Sequence, residues 1–397
     1  MTGRFGGWYS RSTSGAISNR LKKKHFVMTK KIGILFGMED TFPWAFIDKV
    51  NTLGEGKVFA EPVSIDKVQQ GIDYGYHVII DRISQEVPFY RAYLKNAALR
   101  GTAVINNPFW WSADEKFFNN CLAIQWGIPV PKTILLPSKA RPDDTTEKSF
   151  RNLKSPLDWE YIFNYIGFPA YMKPHSGGGW KSVYRVENPD DLFAKHGETN
   201  QLVMMLQEEI VFEDYYRVYC LGQKYVHIMP YEPRNEFHQR YATEPKTQGE
   251  EHKKLMETIH EYTIRLNKAL GYDFNTVEFA VRNGIPYAID FCNPAPDADV
   301  HSVGQVNFDW IVEHAARFAI EKALAHQLNQ NNCSWGEFLQ NAISPPAGET
   351  SRVPLKTAAE AKKTIKKKPL SQSQTKTAAA TKKGKAPAVK PKNAGKN

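Results

Sequence analysis

The chain is poor in cysteine: Cys121, Cys220, Cys292 and Cys333 are the only four in 397 residues. They are scattered, and no two form a CxxC pair, which argues against a disulfide framework and against the commonest zinc and redox motifs. A reducing, cytoplasmic setting is the expectation. Long apolar runs are missing as well. No stretch approaches the roughly 18 uninterrupted apolar residues that a membrane-spanning helix needs, and the mean hydropathy is −0.49. Residues 1–27 lack Asp and Glu and also lack the apolar core of a secretory signal, so they are expected to be a disordered extension. Acid is nearly absent from the other end too: residues 351–397 carry fourteen Lys or Arg against one acid, Glu360. The net charge of +10 therefore resides in this tail, and residues 1–350 are slightly acidic.

What is present between these ends is a globular pattern. From Lys31, short apolar runs alternate with stretches of helical spacing: a strand at Ile32–Phe36, a helix at Phe42–Leu53, a strand at Tyr76–Ile80, a helix at Pro88–Arg100, a strand at Thr102–Asn106 and a helix at Ser112–Trp126. This order predicts a parallel sheet covered on both faces. A polar stretch, 138–151, reads as a linker or mobile loop. Beyond it the turns are short and the strands read as antiparallel, as in an α+β unit. Asn283-Gly284 between Asn275–Arg282 and Pro286–Phe291 is a strong hairpin signal. From about Ser344 the chain is Lys, Ala, Pro, Thr and Ser and cannot bury enough surface to fold.

Two constellations carry chemistry. Lys173-Pro-His-Ser-Gly-Gly-Gly-Trp-Lys181 is a glycine-rich loop with a lysine at each end. Glycines let backbone N–H groups approach phosphate oxygens, and lysines add point charges. The loop is neither a Walker motif nor a dinucleotide fingerprint, and glycine-rich turns are more often plain flexible hairpins. Downstream, Glu278 and Asp290 lie on the two arms of the Asn-Gly hairpin. Counting out from the turn brings them within about one residue of facing each other, close enough to share a cation. Solvated charges on a β-ribbon are the ordinary alternative. Each acid here sits in an apolar run, Thr276-Val-Glu-Phe-Ala-Val281 and Ala288-Ile-Asp-Phe-Cys292, where an unpaired charge is costly.

In order and spacing these segments resemble the ATP-grasp superfamily of carboxylate–amine ligases, such as glutathione synthetase and the ribosomal-protein glutamate ligases. The resemblance runs from about Lys31 to Gln327. It is carried by Asn107–Lys116, Ile128-Pro-Val-Pro131, Phe168-Pro-Ala-Tyr-Met-Lys173, Leu206-Gln-Glu-Glu-Ile210, Asp214-Tyr-Tyr-Arg217, Val277-Glu-Phe279 and Asp290-Phe-Cys-Asn293-Pro-Ala-Pro296. It implies a disordered extension (1–27), a pre-grasp α/β domain (28–138) and an ATP-grasp domain (139–343), followed by a disordered basic tail (344–397). Within the ATP-grasp domain it implies a central lid subdomain at about 139–205 and a C-terminal grasp subdomain at about 206–343.

The same resemblance implies roles. Lys116 and Lys173 contact nucleotide phosphates, and Ser176, Gly177, Gly178 and Gly179 form a lid over them. Gln207, Glu208, Glu209 and Ile210 read adenine through the backbone, and Glu213 is a weaker candidate for the ribose. Glu278, Asp290 and Asn293 form the metal set, for Mg²⁺ or alternatively Mn²⁺, although the superfamily more often has Glu where Asp290 stands. Arg217 holds an acyl phosphate; Arg234 and Arg240 are weaker alternatives. His175 adjoins the lid, and Trp44 and Trp110-Trp111 are expected to be core or interface aromatics.

The implied activity is an ADP-forming ligase joining a small-molecule or peptide carboxylate to an amine or thiol. Three alternatives stay open: a phosphoryl transferase of the same fold, a non-catalytic nucleotide-binding module, and a protein that binds nucleic acid or another polyanion through its tail. Two neighbouring acids also carry an electrostatic expectation. They repel until a cation arrives, so Asp290→Asn should relieve strain in the metal-free protein.

Overall fold

Strands in the first third of the chain hydrogen-bond side by side in one direction. A computed structural model describes residues 29–109, 115–241 and 243–327. The expected extension, Trp110-Trp111 and the basic tail lie outside the described residues.

Strands β1 (Lys30–Leu35), β2 (Val58–Pro62), β3 (Val78–Asp81) and β4 (Ala103–Ile105) form a parallel sheet in the order β2-β1-β3-β4. Helix α1 (Phe42–Leu53) begins with proline in its first turn, where a missing N–H costs nothing, and ends at Gly54. Its Phe42, Phe46, Ile47 and Val50 recur at helical spacing and pack on one face of the sheet. Helix α2 (Pro88–Leu99) covers the other face with Tyr93, Leu94, Ala97 and Ala98. Both faces are thus covered, as the alternation predicts. Strand β2 is an addition to that reading: it is a short edge strand ending at Pro62, where a missing donor is tolerated.

After helix α3 (Lys116–Gln125) comes a second sheet, antiparallel throughout. It contains β5 (Thr133–Leu136), β6 (Ala170–Pro174), β7 (Tyr184–Val186) and β8 (Met204–Glu208) in the order β5-β8-β6-β7. Helices α4 (Trp159–Ile166) and α5 (Pro189–Glu198) back it; Asp158 and Asn188 cap them by accepting from Tyr161 and Asp191 N–H. A third sheet, also antiparallel, runs β10-β9-β11-β12. It is built from β9 (Asp214–Leu221), β10 (Tyr225–Pro230), β11 (Phe274–Arg282) and β12 (Ile285–Asp290), with α6 (Gly249–Leu270) against it. The chain continues through α7 (Val300–Val303) into α8 (Gln305–Ala325).

Helix α8, like the short α7 before it, is absent from the sequence reading. Its Phe308, Ile311, Val312, Ala315, Ala316 and Ala319 fill one core with α1, β1, β3 and residues Tyr219, Leu221 and Phe274 of the third sheet. First and third sheets therefore share apolar packing, at about 2–3 kcal/mol for each fully buried large side chain. Among the described residues no helix is long and apolar enough to cross a membrane.

Candidate functional site

One cross-strand row organises the site. Arg217 on β9 is the register partner of Glu278 on β11, and Glu278 is the partner of Asp290 on β12. Register partners project to the same face of a sheet, so a guanidinium and two carboxylates stand side by side. The pairing depends on a β-bulge. From the turn outward the ladder runs regularly to Phe279↔Ala288, then Ile289 is the extra residue and Glu278 meets Asp290. Asn283 and Gly284 at the tip have φ of +55° and +72°, the type I′ geometry that an Asn-Gly pair adopts most readily.

Each charge in the row has a protein partner. Glu278 accepts from Tyr215 O–H at 2.6 Å and lies 3.8 Å from Arg217 Nε. Burial, then the Glu278 charge, pushes the Tyr215 hydroxyl well above its usual pKa, so it remains a donor. Arg217 is buried and donates from Nη1 to Tyr241 Oη at 3.1 Å, while its Nε has no hydrogen-bond partner among the described residues. Lys116 Nζ lies 2.9 and 3.0 Å from the two Asp290 oxygens. Burial opposes the charges of both, but their mutual attraction outweighs it, so Lys116 is held above and Asp290 below the ordinary value. Lys173 Nζ reaches Ile289 C=O at 3.4 Å. Burial lowers its pKa to about 8, with Lys116 adding to the effect and Asp290 opposing it.

The two lysines arrive from different elements. Lys173 lies on β6, Lys116 opens α3, and the Lys116 N–H donates to His175 C=O just past β6 at 2.8 Å. With Asp290, Asn120 and Cys292 they line a cavity of about 10 Å³, room for roughly one water. The segment after Lys173 carries Ser176, Gly177, Gly178 and Gly179. Gly177 and Gly179 have φ of +84° and +72°, and a Cβ on any of the three glycines would meet nothing within 4 Å. The loop is open, and Trp180 in it is exposed.

Gln207 lies mid-ladder between β5 and β6, its side chain donating to Thr133 Oγ1 at 3.0 Å. Glu208 accepts from Lys132 N–H at 3.1 Å, Glu209 is bidentate with Arg185 at 2.8 and 2.9 Å, and Ile210 is buried. Glu213 turns elsewhere: both its oxygens accept the Asn283 N–H, at 3.2 and 3.0 Å, clamping the hairpin tip. Asn293 follows the row, its backbone N–H held by Asn275 Oδ1 at 2.7 Å.

The structure thus brings Lys116, Lys173, Arg217, Glu278 and Asp290 together, whereas Glu213 is committed to the turn. The acids are not a bare repelling pair, because Lys116 and Tyr215 occupy them, and this overturns the expected relief of strain in Asp290→Asn. Trp44, expected in a core or interface, is 51% exposed and edge-on to Phe36. Arg234 pairs with Glu232, and Arg240 bonds Asn235 C=O and Tyr231 Oη, so both are engaged within the 231–241 loop. The His175 ring Nδ1 lies 3.3 Å from Val203 C=O. Sequence reasoning passed over Tyr215 and Tyr241. The period-two spacing of Tyr215, Arg217 and Tyr219 along β9 is the signal that places the first on the face of the row.

Comparisons with known proteins bear on this geometry. No family model and no curated protein matches the sequence. Solved structures do. D-alanine–D-alanine ligase from Bacillus anthracis, solved in complex with ATP, is 17% identical, covering 75% of this chain and 98% of its own at a TM-score of 0.50. The RimK domain protein ATP-grasp from Sphaerobacter thermophilus is 17% identical over 73% of this chain and 99% of its own, at 0.52. The chain has the ATP-grasp fold. VanG D-Ala:D-Ser ligase from Enterococcus faecalis matches likewise, at 16% identity over 74% and 99% and a TM-score of 0.52. In ATP-grasp terms the second sheet brings Lys173 and the glycine loop, and the third brings the Arg217–Glu278–Asp290 row. Among the described residues no three His, Cys, Asp or Glu side chains cluster as a self-sufficient metal cage.

Proposed function

We propose that this chain is an ATP-dependent, ADP-forming ligase that joins a carboxylate to an amine. The observation that supports it most is the meeting of two lysines, an arginine and two carboxylates around one cross-strand row of an ATP-grasp fold. Solved structures of that fold include D-alanine–D-alanine ligase, in complex with ATP, and VanG D-Ala:D-Ser ligase.

In this reading Lys116 and Lys173 take phosphate oxygens, and the loop Ser176–Gly179 covers them. The backbone of Gln207–Ile210 reads the adenine. A substrate carboxylate attacks the γ-phosphoryl group and displaces ADP; the amine then attacks the acyl phosphate so formed, losing a proton and expelling inorganic phosphate as the amide bond forms. Arg217, ion-paired with Glu278 through an Nε that makes no hydrogen bond among the described residues, would offset the charge that develops. Positioning and charge neutralisation are the protein's task, and no covalent enzyme nucleophile is required.

Glu278, Asp290 and Asn293 would hold Mg²⁺. All three offer oxygen, and two carboxylates without a full cage suit an ion that keeps water and nucleotide phosphates in its shell. Bound there, Mg²⁺ supplies neutralisation of phosphate charge. Lys116, bonded to Asp290 in this structure, would then pair with a phosphate oxygen instead, one anion for another. The domain boundaries at about 138 and 205 belong to the same proposal.

The deciding experiment follows ADP release by the full chain with ATP and Mg²⁺ against pooled carboxylic acids and amines. ADP release that needs both an acid and an amine supports the ligase. Release with the acid alone, leaving a stable phosphorylated product, would make the protein a phosphoryl transferase instead.

A further inference from the structure

Asp290 ends β12, and the strand's pairing is already irregular at Ile289. Regular ladder bonds therefore do not secure the residues that follow, yet Asn293 is only three positions on. A single buried side chain replaces the ladder there. Asn275, fully buried on β11, accepts the Asn293 N–H through Oδ1 at 2.7 Å and donates from Nδ2 to Phe291 C=O at 2.9 Å. Its Nδ2 also donates to Asn267 Oδ1 at 3.0 Å, and Asn267 is turned by its own bond to Thr263 C=O at 2.8 Å. Both donor hydrogens and the acceptor of the Asn275 amide are thereby used, on partners from β12 onward and from α6. Beyond Asn293, Pro294 C=O accepts from Asn106 Nδ2 at 3.3 Å, and Asn106 Oδ1 accepts the Asp273 and Phe274 N–H groups.

A buried amide that only satisfied stray backbone groups would need no such chain back to a helix. Here the chain Thr263–Asn267–Asn275 links residues 291 and 293 to α6, which contributes no residue to the lysine–carboxylate row. We infer that Asn275 is a positioning residue: it fixes the backbone of 291–293 so that the Asp290 carboxylate and the Asn293 side chain can serve one cation. The inference rests on the proposed magnesium set. Asn275 touches neither nucleotide nor metal in this account, and acts through the peptide groups on either side of Cys292. Outer-shell partners of this kind typically alter metal affinity about 10–100-fold when removed.

The test measures, by calorimetry, ADP binding to the full chain at graded Mg²⁺ concentrations and in EDTA, with melting temperature alongside. Asn275→Ala should bind ADP in EDTA as the wild type does, yet need about 10–100-fold more Mg²⁺ to reach the enhanced affinity. A folded Asn275→Ala with wild-type Mg²⁺ dependence would make the residue merely structural and overturn the inference. If that variant does not fold, Asn267→Ala decides. It removes only the support from α6, and should raise the Mg²⁺ requirement several-fold; an unchanged requirement would again overturn it. A wild type whose ADP binding ignores Mg²⁺ would instead refute the magnesium set itself and the inference with it.

Discussion

Lys116 and Asp290 meet twice, through both carboxylate oxygens, with Lys173 close behind. Neutralising the acid therefore leaves two neighbouring ammonium groups without their strongest counter-charge, with only Glu278 to offset them. Asp290→Asn is expected to melt lower in the absence of metal, by about 1–2 kcal/mol, less than a fully buried pair because the Asp290 side chain is 44% exposed. Lys116→Met in the same background should recover part of the loss, and thermal unfolding of the two singles and the double closes the cycle. An Asp290→Asn protein as stable as the wild type would show that the pair contributes nothing. Lys173 carries its own pH signature. Its pKa is lowered from 10.5 to about 8, so its charge weakens folding below about 8 and that cost is relieved as pH rises towards 10.5. Phosphate favours the charged form. ATP binding should therefore take up a proton near pH 8.5 and weaken as pH climbs further. Calorimetry in buffers of different ionisation heat measures the uptake; zero uptake would mean that Lys173 does not change its protonation when ATP binds.

At the scale of the element, the β11–β12 hairpin sets the spacing of the acids from its tip. Glu213 clamps that tip by accepting the Asn283 N–H with both oxygens. Glu213→Ala leaves this donor to water, and should cost about 1 kcal/mol of stability in urea unfolding, with ATP affinity within about twofold of wild type. A large loss of ATP affinity with unchanged stability would return Glu213 to the ribose. Counting residues from Asn283-Gly284 places Ile289 opposite Glu278; the bulge puts Asp290 there instead. The hairpin, its turn and the two acids were thus legible in the sequence, whereas the one-residue shift was not, because a bulge depends on what packs against the strand. The apolar cluster of Ile289 with Ile210, Tyr215 and Tyr231 involves residues from three separate segments.

Across the whole molecule, the C-terminal ends of the parallel strands grip the segment that follows the acids. Asn106 bonds Pro294 C=O, Arg82 Nη2 bonds Pro296 C=O at 2.7 Å, and Thr41 bonds Asp299 at 3.0 Å. Arg82 is the most committed of these. Its side chain is wholly buried, 5.1 Å from the centroids of both the Phe42 and the Phe274 ring, and ion-paired with Glu39. Glu39→Gln removes the only carboxylate bonded to that guanidinium among the described residues. It is expected to lower stability by about 1–3 kcal/mol, discounted from a fully buried pair because Glu39 is 28% exposed. Unfolding monitored by circular dichroism checks it, and a change below about 0.5 kcal/mol would mean that water already screens the pair.

Periodicity, turn chemistry and composition by themselves determined the alternating first half, the antiparallel second half, the glycine loop and the carboxylate hairpin, because each depends on neighbours within a few residues. Helix α8 escaped that reading although its apolar face is periodic, and only the fold assigns it a core shared with β1 and α1. Which charges meet was decided by tertiary structure alone. Lys116 and Asp290 are 174 residues apart, and Tyr215 and Glu278 are 63 apart. Their pairing requires that β6 hold the start of α3 and that three strands of another sheet fall into register. No local propensity encodes a contact between segments that far apart; only the packing that brings them together does.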